Sequence, residues 1–94
     1  MSEKHYFLQW RPLAVYDLMQ ILDFIAEDSP LRAKIFVDEL RTKASPLKNH
    51  PFLGRKGCVA GTRELIIHRH YILIYQVAGQ YIDIVRVKHT AREF

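Results

Sequence analysis

The sequence predicts an α+β fold of order β-α-α-β-β-β. An N-terminal helical hairpin packs on one face of a mainly antiparallel four-stranded sheet. Three observations lead there. Two consecutive segments of the first half repeat apolar residues at helical spacing. After Gly61 the pattern changes to short runs of strand character. Turn signals, "EDSP" at Glu27 to Pro30 and "AGQ" at Ala78 to Gln80, separate neighbouring elements of each kind. Helices and strands segregated in this way cover one sheet face and leave the other largely open.

The opening "HYFLQW", His5 to Trp10, is short and aromatic and reads as a first strand. Pro12 suits the first turn of a helix, where its missing N–H would have no intrahelical partner anyway. Leu18, Ile21, Leu22 and Ile25 then recur at i, i+3, i+4 and i+7, one apolar helix face, with Asp17, Asp23 and Glu27 on other faces. Ser29 is a good N-cap and Pro30 a good first helical residue for a second helix. Ala33, Phe36, Val37, Leu40, Ala44 and Leu47 continue its period. The connection is short, so the two helices form an antiparallel hairpin. "NHPFLGRKGCVAG", Asn49 to Gly61, has no period and reads as loop. Arg63 to Ile67, Tyr71 to Val77 and Tyr81 to Lys88 read as three strands. Strict alternation in the last strand would put Ile82, Ile84, Arg86 and Lys88 on one face and Tyr81, Asp83, Val85 and Val87 on the other.

At 94 residues the chain, 1–94, is expected to form one domain with one core. A hydrophobic share of 49% with 26% charged residues is that of a water-soluble globular protein. No apolar run approaches the roughly 20 residues needed to span a bilayer, and the N-terminus lacks the pattern of a secretion signal. Cys58 is the only cysteine, so no internal disulfide can form and no Cys/His set at zinc spacing exists. A reduced, cytoplasmic setting with no membrane association is expected. Charge is distributed unevenly. Residues 1–52 balance seven Lys and Arg with seven Asp and Glu, whereas residues 53–94 carry seven against three, together with three of the five histidines. A basic second half favours an acidic partner, whether nucleic acid or protein.

Two stretches could carry chemistry. In "IIHRHYILIYQV", Ile66 to Val77, a basic knot of His68, Arg69 and His70 divides two apolar runs. In an extended strand His68 and His70 would share a face, yet no Asp, Glu or Cys lies close in sequence to complete a metal site, so no metal and no cofactor are expected. The alternatives are a solvated hairpin turn and a contact with an acidic partner. In "VRVKHTAREF", Val85 to Phe94, the last strand ends in His89, closely followed by Arg92. A histidine near its ordinary pKa can move a proton and an arginine can hold a phosphate, a combination suited to RNA cleavage through the 2′-hydroxyl. The alternative is a solvated terminal strand. "GRKG", Gly54 to Gly57, lacks the length and the following helix of a P-loop and reads as solvated loop. Cys58 has no neighbouring base to activate it, and no Ser-His-Asp constellation is legible.

The element order, the helix start "SPLRAKIFVDEL" and the long stretch "GTRELIIHRHYILIYQVAGQYIDIVRVKHTAREF" resemble the RelE/ParE superfamily, the toxins of bacterial type II toxin–antitoxin modules. The resemblance covers nearly the whole chain. It implies one of two activities. RelE-like members are ribosome-dependent mRNA endonucleases, and ParE-like members poison DNA gyrase without cleaving nucleic acid themselves. RelE-like nucleases tend to carry a basic residue at the position matched by Ile67 and another near Thr90. A histidine-based nuclease subgroup would match His89, with its second histidine near Ile66. The ending His89, Arg92, Phe94 is instead similar to the ParE-like tail, so the resemblance favours a gyrase poison and keeps the nuclease as the alternative.

The same resemblance implies that the first strand lies beside the last, with Arg63–Ile67 at a sheet edge. It implies a cognate antitoxin, acidic and with a DNA-binding half, that wraps the toxin. Its contacts would be Leu18, Leu22, Phe36, Leu40 and Arg63. Target contact would fall to Arg69, His70, Arg86, His89 and Arg92, the target being gyrase or, in the alternative, the ribosome and its mRNA. A nuclease would use His89, His70 and Arg92.

Overall fold

The structure, a computed structural model, describes residues 5–91. Strand β1 (Phe7–Trp10) leads through Arg11 into helix α1 (Pro12–Ala26), which starts on its proline. Ala14, Leu18 and Ile21 form the buried stripe of α1. Helix α2 (Pro30–Thr42) begins as its sequence indicates. The Ser29 hydroxyl accepts the Arg32 N–H at 3.2 Å, and Pro30 occupies the first turn. The apolar period continues through Ala44 and Leu47, both fully buried, but the α-helix does not. Pro46 has no N–H to offer the carbonyl four residues back, so the chain tightens into a 3-10 turn, Ser45–Lys48.

Strands β2 (Arg55–Lys56), β3 (Arg63–His68), β4 (Tyr71–Ala78) and β5 (Tyr81–His89) follow. The sheet order is β1-β5-β4-β3-β2, and β1 runs parallel to β5 while the other pairs are antiparallel. The first strand therefore lies beside the last. The β4–β5 turn is Gly79-Gln80, with Gly79 at φ +62°, the conformation that a tight hairpin needs at its first central position. Leu40, Leu47, Leu73, Tyr75, Ile82 and Ile84 are the large fully buried side chains between hairpin and sheet.

Three expectations are corrected. The sheet has five strands among the described residues, because two residues of the aperiodic loop pair with β3: Arg55 opposite Glu64 and Lys56 opposite Arg63. That β2 strand covers the start of β3, so only the remainder of β3 is an open edge. Tyr75 pins the loop there. Its buried hydroxyl donates to the Pro51 carbonyl at 2.8 Å and accepts the Gly54 N–H at 2.9 Å. A Cβ at Gly54 would meet the Glu64 carbonyl oxygen at 2.6 Å, so the loop approaches β3 only because position 54 has no side chain. No local period encodes a strand held by one long-range tyrosine.

The second correction concerns β5. Register shifts between Ile74 and Tyr75, whose partners are Arg86 and Ile84, and leaves Val85 as an extra residue. Past this bulge Val87 is buried opposite Leu73 and joins Ile82 and Ile84 in the core. Arg86 and Lys88 do not extend the Ile82–Ile84 stripe. The third concerns Asp17, which was placed off the apolar face of α1 and is nevertheless buried. Strand β1 stops opposite Ile84, whose carbonyl takes the Arg11 N–H at 2.9 Å, and beyond it the outer side of β5 has no strand partner among the described residues. Asp17 of α1 fills the place. Its Oδ2 accepts the Val87 N–H at 2.9 Å and Arg86 Nε at 2.8 Å, and its Oδ1 accepts Arg86 Nη2 at 2.9 Å.

Asp17→Ala is expected to lower the unfolding free energy by about 3 kcal/mol, since it strands both a buried N–H and a half-buried guanidinium. Arg86→Ala should cost clearly less, because the Val87 N–H keeps its acceptor. Tyr75→Phe should cost about 2 kcal/mol by leaving the Pro51 carbonyl and Gly54 N–H unpaired. Urea unfolding of the three variants measures these values, and equal losses for Asp17→Ala and Arg86→Ala would contradict the assigned role of Asp17.

Candidate functional site

The three histidines of the second half meet at one end of the sheet. Strand β3 ends at His68 and β4 begins at Tyr71, so Arg69 and His70 form a two-residue turn. The β3–β4 register slips here as well: Ile66 lies opposite Ile72 and His68 opposite Tyr71, with Ile67 the extra residue. Alternation puts Ile67 in the core with Leu65, at 4% exposure, and Ile66 outside, at 62%; the slip brings His68 round to the side of Ile67. His68 turns toward α2 and meets the Phe36 ring edge-on at 5.1 Å between centroids. Tyr71 lies opposite His89 on β5, with its ring edge-on to the imidazole at 5.2 Å. The His70 and His89 rings are nearly parallel, 10° apart in plane and 5.6 Å between centroids. Thr90 joins the two ends: its N–H donates to the His70 carbonyl at 2.8 Å and its hydroxyl to the Arg69 carbonyl at 3.2 Å.

Two of these rings have their protons placed by the backbone. His68 Nδ1 accepts the His70 N–H at 3.0 Å, and His89 Nδ1 accepts the Ala91 N–H at 3.1 Å. A neutral imidazole with an accepting Nδ1 carries its hydrogen on Nε2 and presents that nitrogen as a donor. Burial holds the His68 pKa below its ordinary value, and the positive charges of His70 and Arg69 push the same way. Glu39 opposes the shift from α2 and Lys43 reinforces it. Among the described residues no group of three or more His, Cys, Asp or Glu is disposed to hold a metal ion.

The remaining expected site residues are dispersed. Arg69 is exposed at the turn. Arg86 is held by Asp17 and raised in pKa by that hydrogen bond, so its charge is committed within the fold. Arg92 lies outside the described residues, as do Glu93 and Phe94. Among the residues assigned to the antitoxin, Leu18 and Leu40 are buried between hairpin and sheet, whereas Leu22 and Phe36 are half-buried at the rims of grooves. Arg63 folds back on the loop. Its Nε donates to the Gly54 carbonyl at 2.9 Å and its guanidinium lies 5.3 Å from the centre of the Phe52 ring.

The grooves combine residues of the apolar period with others that it did not single out. One of about 620 Å³ lies beside α2, with Ile35, Phe36, Leu40, Lys43, Ile67 and His68 in its wall. Another, of about 270 Å³, runs between the helices past Trp10, Val15, Met19, Leu22, Val37 and Arg41. Arg41 sits over the Trp10 ring at 5.9 Å. Val15, Met19 and Leu22 recur at i, i+4 and i+7, a second apolar stripe on α1 beside the core stripe, and that spacing was available in the sequence.

Comparison with known proteins places the chain in a family. Residues 8–94 match the family described as the ParE toxin of the type II toxin-antitoxin system, parDE, and the chain belongs to it. It is 41% identical over 83 residues to Toxin RelE2 of Caulobacter vibrioides, covering 88% of this chain and 91% of that one. Among solved structures it is similar to a chain of the chromosomal ParDE toxin–antitoxin system of P. aeruginosa, with a TM-score of 0.82 and 27% identity over 90% of this chain and 96% of that one. The fold is also that of a chain of the RelBE2 toxin–antitoxin complex of Mycobacterium tuberculosis, with a TM-score of 0.65 and 22% identity over 97% and 98% of the two chains. The protein is thus a type II toxin of the RelE/ParE superfamily.

The depressed pKa of His68 makes stability depend on pH with a definite sign. The unfolded chain takes up the proton near the ordinary value of 6.5, before the folded chain does. The contribution of neutral His68 is therefore complete above that pH and is lost as pH falls through the lower folded-state value. Urea unfolding at a series of pH values from 8 to 5 is expected to show this decline. His68→Asn, which keeps an acceptor but does not titrate, is expected to flatten it.

Proposed function

We propose that this toxin acts in the ParE manner, by binding DNA gyrase and corrupting its cycle, and that its antitoxin is an acidic protein with a DNA-binding half. The observation that carries this reading is the state of the positions where a nuclease would need its groups. The matched position Ile67 is a core residue. Thr90 uses its hydroxyl on the Arg69 carbonyl. His89 has its Nδ1 lone pair on the Ala91 N–H, so its outward nitrogen is a donor and not a base. Family membership and the likeness to a ParDE chain support the same reading. The exposed cations of the tip, Arg69 among them, would then serve target contact, and the grooves beside α2 and between the helices would take apolar side chains of an antitoxin segment.

Purified toxin is expected to inhibit gyrase supercoiling or to trap gyrase-mediated DNA breaks, with relief on adding antitoxin. Unchanged gyrase activity at excess toxin would overturn the reading. An mRNA endonuclease is the second reading, favoured by the convergence of His70 and His89 and by the likeness to a chain named RelE2. Primer extension on translated message would then show cuts linked to codons. His70→Ala/His89→Ala should abolish such cuts under that reading, whereas a gyrase poison should produce none in either form.

A further inference from the structure

The hairpin turn and the turn after β5 are built alike. In each, a histidine at a strand end accepts, through Nδ1, the N–H of the residue two positions on: His68 from His70, at 3.0 Å, and His89 from Ala91, at 3.1 Å. The two turns are then joined by the bonds from Thr90 to the His70 and Arg69 carbonyls and by the parallel rings of His70 and His89. The arrangement requires both Nδ1 atoms to be unprotonated. An imidazolium has an N–H at each nitrogen and accepts nothing, so protonation converts each brace into two hydrogens facing one another.

We propose that these two braced turns form a proton-operated latch between the β3–β4 tip and the C-terminal turn, closed when the imidazoles are neutral and opened in mild acid. The charged and titratable surroundings favour opening. His68 lies 5.5 Å from His70, and His70 lies 5.6 Å from His89, close enough for charge on one ring to repel charge on the next, and Arg69 adds repulsion at His68. At the end of α2, Lys43 adds repulsion at His68 and Glu39 opposes it, with Phe36 against the ring edge. From β4, Tyr71 touches both His68 and His89, and on β5 Lys88 adjoins His89 in sequence. The latch acts on the end of the molecule assigned to target contact, and its chemistry is the same whichever target is bound.

Amide exchange of the full chain, followed by NMR and corrected for intrinsic rates, tests this directly. Protection at the His70, Thr90 and Ala91 amides is expected to fall on the order of tenfold between pH 7.5 and 5.5, while Leu73 and Ile82 hold. In His68→Asn/His89→Asn, whose side-chain oxygens accept without titrating, protection should be independent of pH. A flat profile in the unaltered chain, or the same fall in the double variant, would overturn the latch. Long-range proton–nitrogen spectra of the unaltered chain give a second reading that needs no variant. His68 and His89 should carry their hydrogen on Nε2 at pH 7.5, and a hydrogen on Nδ1 of both would equally overturn it.

Discussion

The carboxylate of Asp17 is the point on which the two layers depend. Strand β1 is only four residues long and gives way to α1 at Pro12, so more than half of β5 would present unpaired backbone on its outer side. A buried N–H without an acceptor is costly, and another strand is not available. Asp17 supplies one acceptor atom to the Val87 N–H and shares the rest of its charge with Arg86. This joins α1 to the sheet by a directional contact, where apolar packing alone would leave the helix free to slide. The contact sits beside the Val85 bulge, and the bulge turns Arg86 toward α1 and Val87 into the core. Helix, bulge and strand end are therefore one arrangement.

That arrangement also decides which cations are available at the surface. From the sequence, Arg86 and Arg69 are equal candidates for an acidic partner. In the fold, Arg86 would have to leave a bidentate carboxylate to bind anything else, and Asp17 would then be buried without its counter-charge. Arg69, on a two-residue turn with an exposed side chain, faces no such cost. Of these two cations, Arg69 at the hairpin tip is thereby the more available.

Most of the architecture was legible because it is periodic. The apolar stripes of α1 and α2, the Ser29-Pro30 start and the β4–β5 turn at Gly79-Gln80 each rest on residues close in sequence. What escaped the sequence is aperiodic or long-range. Strand β2 exists because Tyr75, about twenty residues on, holds its approach. The bulges at Val85 and Ile67 shift the alternation by one, and nothing in "YIDIVRVKH" or "RELIIH" marks which residue is extra. Asp17 was placed only off the apolar face of α1, and its role was hidden because its partners lie some seventy residues away. The histidine cluster was half legible. The proximity of His68 and His70 is local, whereas the arrival of His89 depends on the register of β4 against β5.

The Ile67 bulge shows how a small change of register separates two functions of one strand. Without the extra residue, Ile66 and His68 would keep the strict alternation of β3 and share one face, and the tip would not turn toward α2. With it, His68 comes to the side of Ile67 and closes the end of the groove beside Phe36, while Ile66 stays exposed. One imidazole then belongs both to the wall of an apolar groove and to the basic tip. Desolvation by a segment lying in that groove would penalise the charged form of His68 further. A partner along α2 would thus favour the neutral ring that braces the hairpin turn, and occupation of the groove and order at the tip would be coupled through a single side chain.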